Sequence, residues 1–60
     1  MIEFTLNGQP QQRAATLSVA QLLDELGLSG KRLAVEKDGQ IVPRGQHADC
    51  PVEAGCRLEI

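Results

Sequence analysis

Sixty residues offer one histidine, two cysteines and eight carboxylate side chains for any chemistry. His47 is the residue type for general-base catalysis or metal ligation, because its charge changes near neutral pH. It stands in the run "GQHADC" with no evident carboxylate to orient it and no second ligand, so a solvated or packed loop histidine is the expectation. Cys50 and Cys56 have five residues between them. That spacing is not C-x-x-C, and no second Cys/His pair completes a zinc site. Two reduced thiols are expected, Cys50 in a loop and Cys56 at the start of a strand, with a disulfide or redox role as the alternative. Asp24 and Glu25 are adjacent on a helical pattern and point in different directions, so they do not form an acid–base pair. Gly27, Gly30, Gly39 and Gly45 fall in separate turns and build no phosphate-cradling loop. No catalytic residue, metal site or cofactor is expected, and the chain reads as no enzyme on its own.

The composition limits the partners. Hydrophobic residues make up 42% and charged ones 23%, with a single aromatic, Phe4. A soluble globular domain spanning residues 1–60 is expected, burying roughly 60% of the surface its unfolded chain exposes. Net charge is −2, and the six basic residues Arg13, Lys31, Arg32, Lys37, Arg44 and Arg57 are scattered. Nucleic acid is therefore not an expected partner, since its footprint is a clustered basic stripe. The opening "MIEFTLNG" begins directly on a strand pattern, without a signal sequence or a long apolar run. Neither of these being present, a cytoplasmic protein that does not engage membrane is expected.

The elements that must position any site follow from periodicity. In "IEFTL", Ile2, Phe4 and Leu6 alternate with Glu3 and Thr5, the pattern of a half-buried strand. Asn7-Gly8 is a hairpin dipeptide, with a weaker returning strand expected at about Gln11–Ala14 and Pro10 at an edge or first strand position. In "TLSVAQLLDELGLSG", Val19, Leu22, Leu23 and Leu26 share one helical face. Ser18 as N-cap and Gln21 as its capping-box partner start the helix, Leu17 and Leu22 can form a hydrophobic staple, and Gly27 ends it. "RLAVEKDGQIVPR" reads as a second hairpin around Asp38-Gly39, with Leu33 and Val35 inward and Ala34 and Glu36 outward. "GQHADCPVEAG" reads as a loop with room for a short 3₁₀ turn, and "CRLEI" as a final strand with Leu58 and Ile60 inward.

Strand, strand, helix, strand, strand, strand in about this length is an α+β order, that of the ubiquitin-like β-grasp: a mixed sheet of about five strands with one helix packed on one face. A single helix leaves the other face of the sheet open, and that face is where so small a domain can meet a partner.

The run "LAVEKDGQIVPRGQHADCPVEAGCRLEI", together with the "NG" hairpin and the "TLSVAQLLDELGL" helix, resembles the ThiS family, the sulfur carriers of thiamine biosynthesis. "IVPR", Ile41 to Arg44, is its most specific piece. Two positions depart from the family pattern: His47 stands where Trp is frequent, and Cys56 where the turn before the last strand often has Asp. The resemblance implies a co-substrate rather than a catalyst. In the family, an adenylating (E1-like) enzyme activates a C-terminal Gly-Gly carboxylate with ATP. A sulfur donor such as a cysteine desulfurase converts it to a thiocarboxylate, and thiazole synthase takes the sulfur. Glycines suit such a tail because a chain without side chains threads an enclosed site. These sixty residues stop at Ile60 without Gly-Gly. The expectation is a sequence cut before the tail, with a binding-only β-grasp protein as the alternative.

The resemblance also implies that docking uses the open sheet face nearest the tail. By alternation that face includes Ala34, Glu36, Ile41, Arg57 and Glu59, and Arg44 in the following loop can pair with a partner's carboxylate. A molybdopterin-synthase small subunit shares the fold, tail and chemistry, although "IVPR" and the short helix-to-strand connection favour the thiamine carrier. A β-grasp module of the kind appended to RNA-acting enzymes is the remaining alternative outside carrier chemistry, and the acidic charge counts against it.

Overall fold

Asn7 and Gly8 sit at φ 51° and 81°, the positive values a two-residue type I′ turn requires at both central positions. That turn folds β1 (Ile2–Leu6) onto β2 (Gln9–Arg13), with Leu6 opposite Gln9 and Ile2 opposite Arg13. The computed structural model, which describes residues 1–60, thus starts the returning strand at Gln9 and ends it at Arg13, not at Gln11–Ala14. Pairing resumes directly after a two-residue turn, and alternation hid it because the core-side positions opposite Phe4 and Ile2 are Gln11 and Arg13. Arg13 makes this polar strand hold: its guanidinium lies 5.7 Å from the centre of the Phe4 ring and its Nε donates to Glu25 Oε1 at 2.9 Å. Pro10 is opposite Thr5 on an edge strand. Antiparallel pairs alternate between hydrogen-bonded and not, so next to the turn-closing Leu6–Gln9 pair its missing N–H faces away from the ladder.

Leu17–Ser18 forms the two-residue β3 and leads into α1, Val19–Glu25. Both halves of the capping box are present: the Gln21 amide donates to Ser18 Oγ at 3.0 Å and the Ser18 amide to Gln21 Oε1 at 2.8 Å. The first two helical amides, which no helical carbonyl can reach, donate instead into the later loop. Val19 N–H bonds Cys50 O at 2.8 Å and Ala20 N–H bonds His47 O at 2.9 Å. At the other end Gly27, at φ 73°, donates to Asp24 O, and Leu28 donates to Leu23 O. These are the two bonds of a Schellman cap. The cap corrects one expectation: Leu26 is the C-cap residue and is 40% exposed, because the chain reverses at Gly27 and returns Leu28 to the core instead.

Replacing Ser18 by alanine should cost about 1 kcal/mol. In a 60-residue domain that lowers Tm by about 4–8 °C, and a circular-dichroism melt showing no shift would contradict the cap's role.

The second hairpin joins β4 (Val35–Lys37) to β5 (Gln40–Val42) through Asp38-Gly39, at φ 52° and 84°. Leu33 and Ala34 precede the strand. A 3₁₀ turn at Arg44–Gln46 follows Pro43. The expected loop before the last strand in fact contains β6, Pro51–Val52, which pairs with β3. Two residues are too few to show a period, yet this pairing buries Val52 completely. Finally β7, Arg57–Glu59, runs parallel to β1 and antiparallel to β4, giving the five-strand order β2-β1-β7-β4-β5. The core gathers Phe4 and Leu6, the helix residues Val19, Leu22 and Leu23, and Val35, Val52, Cys56 and Leu58.

Candidate functional site

Because side chains alternate along a strand, burying Phe4, Leu6, Val35 and Leu58 sends their neighbours to the side away from α1. Strand register then decides which of those neighbours meet. Glu36 of β4 is directly opposite Ile41 of β5 and directly opposite Glu59 of β7, and opposed residues share a face. Ile41, Glu36 and Glu59 therefore form one row across three strands. All three are exposed, Ile41 at 73%. Arg57, two residues before Glu59, joins the same face opposite Thr5 of β1.

The other two sequence candidates lie off this row. Ala34 is exposed just ahead of β4, and Arg44 begins the 3₁₀ turn beyond β5.

The electrostatics of the row are one-sided. Two ion pairs exist in the protein, Arg13 with Glu25 and Lys37 with Glu53, both with nitrogen–oxygen distances under 3 Å, and neither touches it. On the same face Glu3 is occupied by a hydrogen bond from Gln12 Nε2 at 2.9 Å. Glu36 and Glu59 face each other across β4 and β7 with no cation within ion-pair distance of either carboxylate.

The chain leaves the sheet beside this row. The Ile60 amide donates to Asn7 Oδ1 at 2.9 Å, so the first hairpin turn fixes the end of the central strand, and the Ile60 side chain is half-buried against the core. Alternation marks Ile60 as inward, but nothing local marks Asn7 for this second task, since its partner is 53 positions away.

On the helix side, polar residues tie segments together. His47 lies with Nε2 3.2 Å from Val42 O; a carbonyl only accepts, so Nε2 carries the proton and donates. With its own carbonyl capping Ala20, His47 clasps the loop to both β5 and α1 and is half-buried. Both cysteines are free, Cys56 in the core and Cys50 half-buried beside it. Two shallow hollows mark this side, one bordered by Thr16, Leu17, Gln21, Asp24 and Glu25, the other by Gln46, Asp49, Cys50 and Pro51. Neither contains the nucleophile, base and orienting group that catalysis would bring together. No cluster of three or more His, Cys, Asp or Glu side chains could hold a metal ion, and no helix is long and apolar enough to cross a membrane.

Lys37 is the second feature that sequence alone does not mark. Its Nζ donates to Pro51 O and to Glu53 Oε1, both at 2.8 Å, fastening β4 to β6. The Glu53 hydrogen bond raises the Lys37 pKa above 10.5, partial burial opposes the rise, and charge interactions with Cys50, Glu53 and Cys56 add to it. A pKa higher in the folded than in the unfolded state means that the folded protein holds the proton more tightly. The stabilisation is therefore complete below the unfolded value and disappears as pH climbs through the higher folded value. Urea midpoints of the protein should fall over that alkaline range more steeply than those of Lys37→Met. Parallel curves for the two would remove the bridge from the stability account.

Comparison with known proteins bears on the same residues. The ThiS family model matches residues 4–60. A thiazole synthase of Paramagnetospirillum magneticum is 36% identical over 59 residues, which are 98% of this chain and 18% of that protein. The chain thus spans under a fifth of that curated relative's length. The crystal structure of the thiamine biosynthesis protein ThiS from Geobacter metallireducens superposes with a TM-score of 0.84 at 26% identity, covering 97% of this chain and 88% of that one. A solution structure of a thiamine biosynthesis protein from the same organism gives 0.81 at 27% identity, covering 98% and 80%.

Proposed function

The chain belongs to the ThiS family, the β-grasp sulfur carriers of thiamine biosynthesis, and from that premise we propose how it works and with which enzymes. The carrier is acted upon; it is not itself a catalyst. Its working group is a terminal carboxylate delivered by an extension of β7. An adenylating enzyme joins that carboxylate to the α-phosphorus of ATP with loss of pyrophosphate, making a carbonyl that a nucleophile can attack. The terminal sulfur of a donor persulfide, such as that of a cysteine desulfurase, then attacks this carbonyl and displaces AMP. A thiol cleaves the resulting acyl disulfide, leaving the thiocarboxylate and a new disulfide, and thiazole synthase receives the sulfur. All of this takes place in the cytoplasm.

The single observation that carries the reading is the family match over residues 4–60. Two others support it. The 36%-identical stretch lies within a protein named thiazole synthase, which favours a carrier that works against that enzyme's surface. The fixed end of β7, held by Asn7 at Ile60, suits a rigid body that presents a mobile terminus. Docking falls to the open face bearing Glu36, Ile41, Arg57 and Glu59, with Ala34 and Arg44 at its margin.

Intact-mass spectrometry tests the chemistry. The gene product is expressed beside its adenylating enzyme, ATP and a sulfur source, and a gain equal to the difference between one sulfur and one oxygen is expected. A mass that never changes would replace the carrier with a binding-only β-grasp protein.

A further inference from the structure

Antiparallel sheets whose second face meets water place polar residues there and avoid setting like charges directly opposite, because such pairs destabilise the sheet. The open face here breaks both rules in one line of residues. Glu36 and Glu59 are directly opposed, and the next residue in the same row, Ile41, is a large aliphatic at 73% exposure on the edge strand. Arg57 is on this face but pairs with neither carboxylate; its backbone amide is engaged by Asp38 Oδ1 at 2.9 Å, and neither ion pair of the protein includes it. An arrangement unfavourable in the free protein is relieved when something cationic covers it.

Resting on the carrier reading above, we propose that the row Ile41–Glu36–Glu59 is the recognition element of the docking face. Its partner surface carries an apolar socket for Ile41, flanked by two or more arginine or lysine side chains that neutralise the carboxylate pair. A second copy of this chain does not fit: two such rows would set four carboxylates against each other in a protein already at net charge −2. The geometry favours arginine, whose planar fork meets a carboxylate through two donors and is less strongly hydrated than an ammonium. Opposite charge across an interface also accelerates encounter and makes binding sensitive to salt.

The test uses Glu36→Gln, Glu59→Gln and the double variant, which keep shape and hydrogen-bonding capacity while removing charge. Binding is measured by calorimetry and by association kinetics, at low and high salt, against the purified adenylating enzyme and thiazole synthase from the same genome. The expected result is a pair of opposite changes. Removing the like-charge contact raises Tm by about 1–5 °C, while affinity for at least one of the enzymes falls by about tenfold or more and loses most of its salt dependence. A face that only contributes to folding would not give a more stable protein that binds less well. If the wild-type chain binds and the double variant binds equally tightly with the same salt dependence, the row is overturned and the carrier reading stands. If the wild-type chain binds neither enzyme, the choice of partners in the carrier reading fails, and the row fails with it.

Discussion

Leu58→Ala is expected to leave the protein largely unfolded at 37 °C. Leu58 is fully buried on β7, the central strand of the five, so the sheet has little freedom to collapse around a missing side chain. Truncating a buried leucine to alanine costs about 2–5 kcal/mol, because the lost transfer energy is joined by the energy of the cavity. A core in a domain of this size rarely supplies more than about 3–5 kcal/mol in total. The substitution therefore removes most or all of the margin. A urea titration followed by far-ultraviolet circular dichroism should find no folded baseline, or one lost at the lowest denaturant concentrations. A well-formed transition displaced by less than about 1 kcal/mol would mean that β7 is not the structural centre that its position implies.

Ile41→Asp should do the reverse, sparing the fold and removing the docking. Solvent already reaches most of the side chain, so truncation loses little burial. The poorer strand propensity of aspartate, and its charge opposite Glu36, together cost about 1 kcal/mol. At an interface the same side chain would be an aliphatic anchor in a socket. Loss of such an anchor typically costs about 2 kcal/mol or more, which is roughly a 30-fold drop in affinity. The measurement is affinity for the adenylating enzyme and thiazole synthase, beside a thermal melt of the same sample. A near-normal melt with unchanged affinity for both would take Ile41 out of the interface.

The contrast between these two residues shows what was legible in the sequence. Leu58 and Ile41 are both aliphatic residues in short strands, and alternation assigned each to its correct side because period-two patterning needs no knowledge of the partner strand. Local chemistry was equally readable: the Ser18/Gln21 box, the stop at Gly27 and the two positive-φ turns are all set within a few residues. What stayed hidden depends on register between distant strands. No local pattern shows that Glu36 and Glu59 are directly opposed, that Lys37 reaches Glu53, or that Asn7 receives the amide of Ile60. The short β3–β6 ladder is hidden for a related reason, since its two-residue strands are defined by one another. Leu26 falls outside the core because the periodic stripe runs on past the point where the Schellman cap turns the chain.

The strand order has one more consequence, for the chain while it is being made. β7 lies between β1 and β4, yet it contains residues 57–59. Synthesis proceeds at about 5–20 residues per second, and from the completion of β5 at Val42 until β7 is made the nascent chain holds two hairpins, β1-β2 and β4-β5, with no strand between them. A two-stranded hairpin is marginal alone in water, and each presents an unpaired inner edge able to join another chain. The nascent chain cannot exchange these open edges for a continuous five-strand sheet until residues 57–59 clear the exit tunnel. Completion of the sheet therefore waits for β7, which follows both hairpins in the chain and joins them.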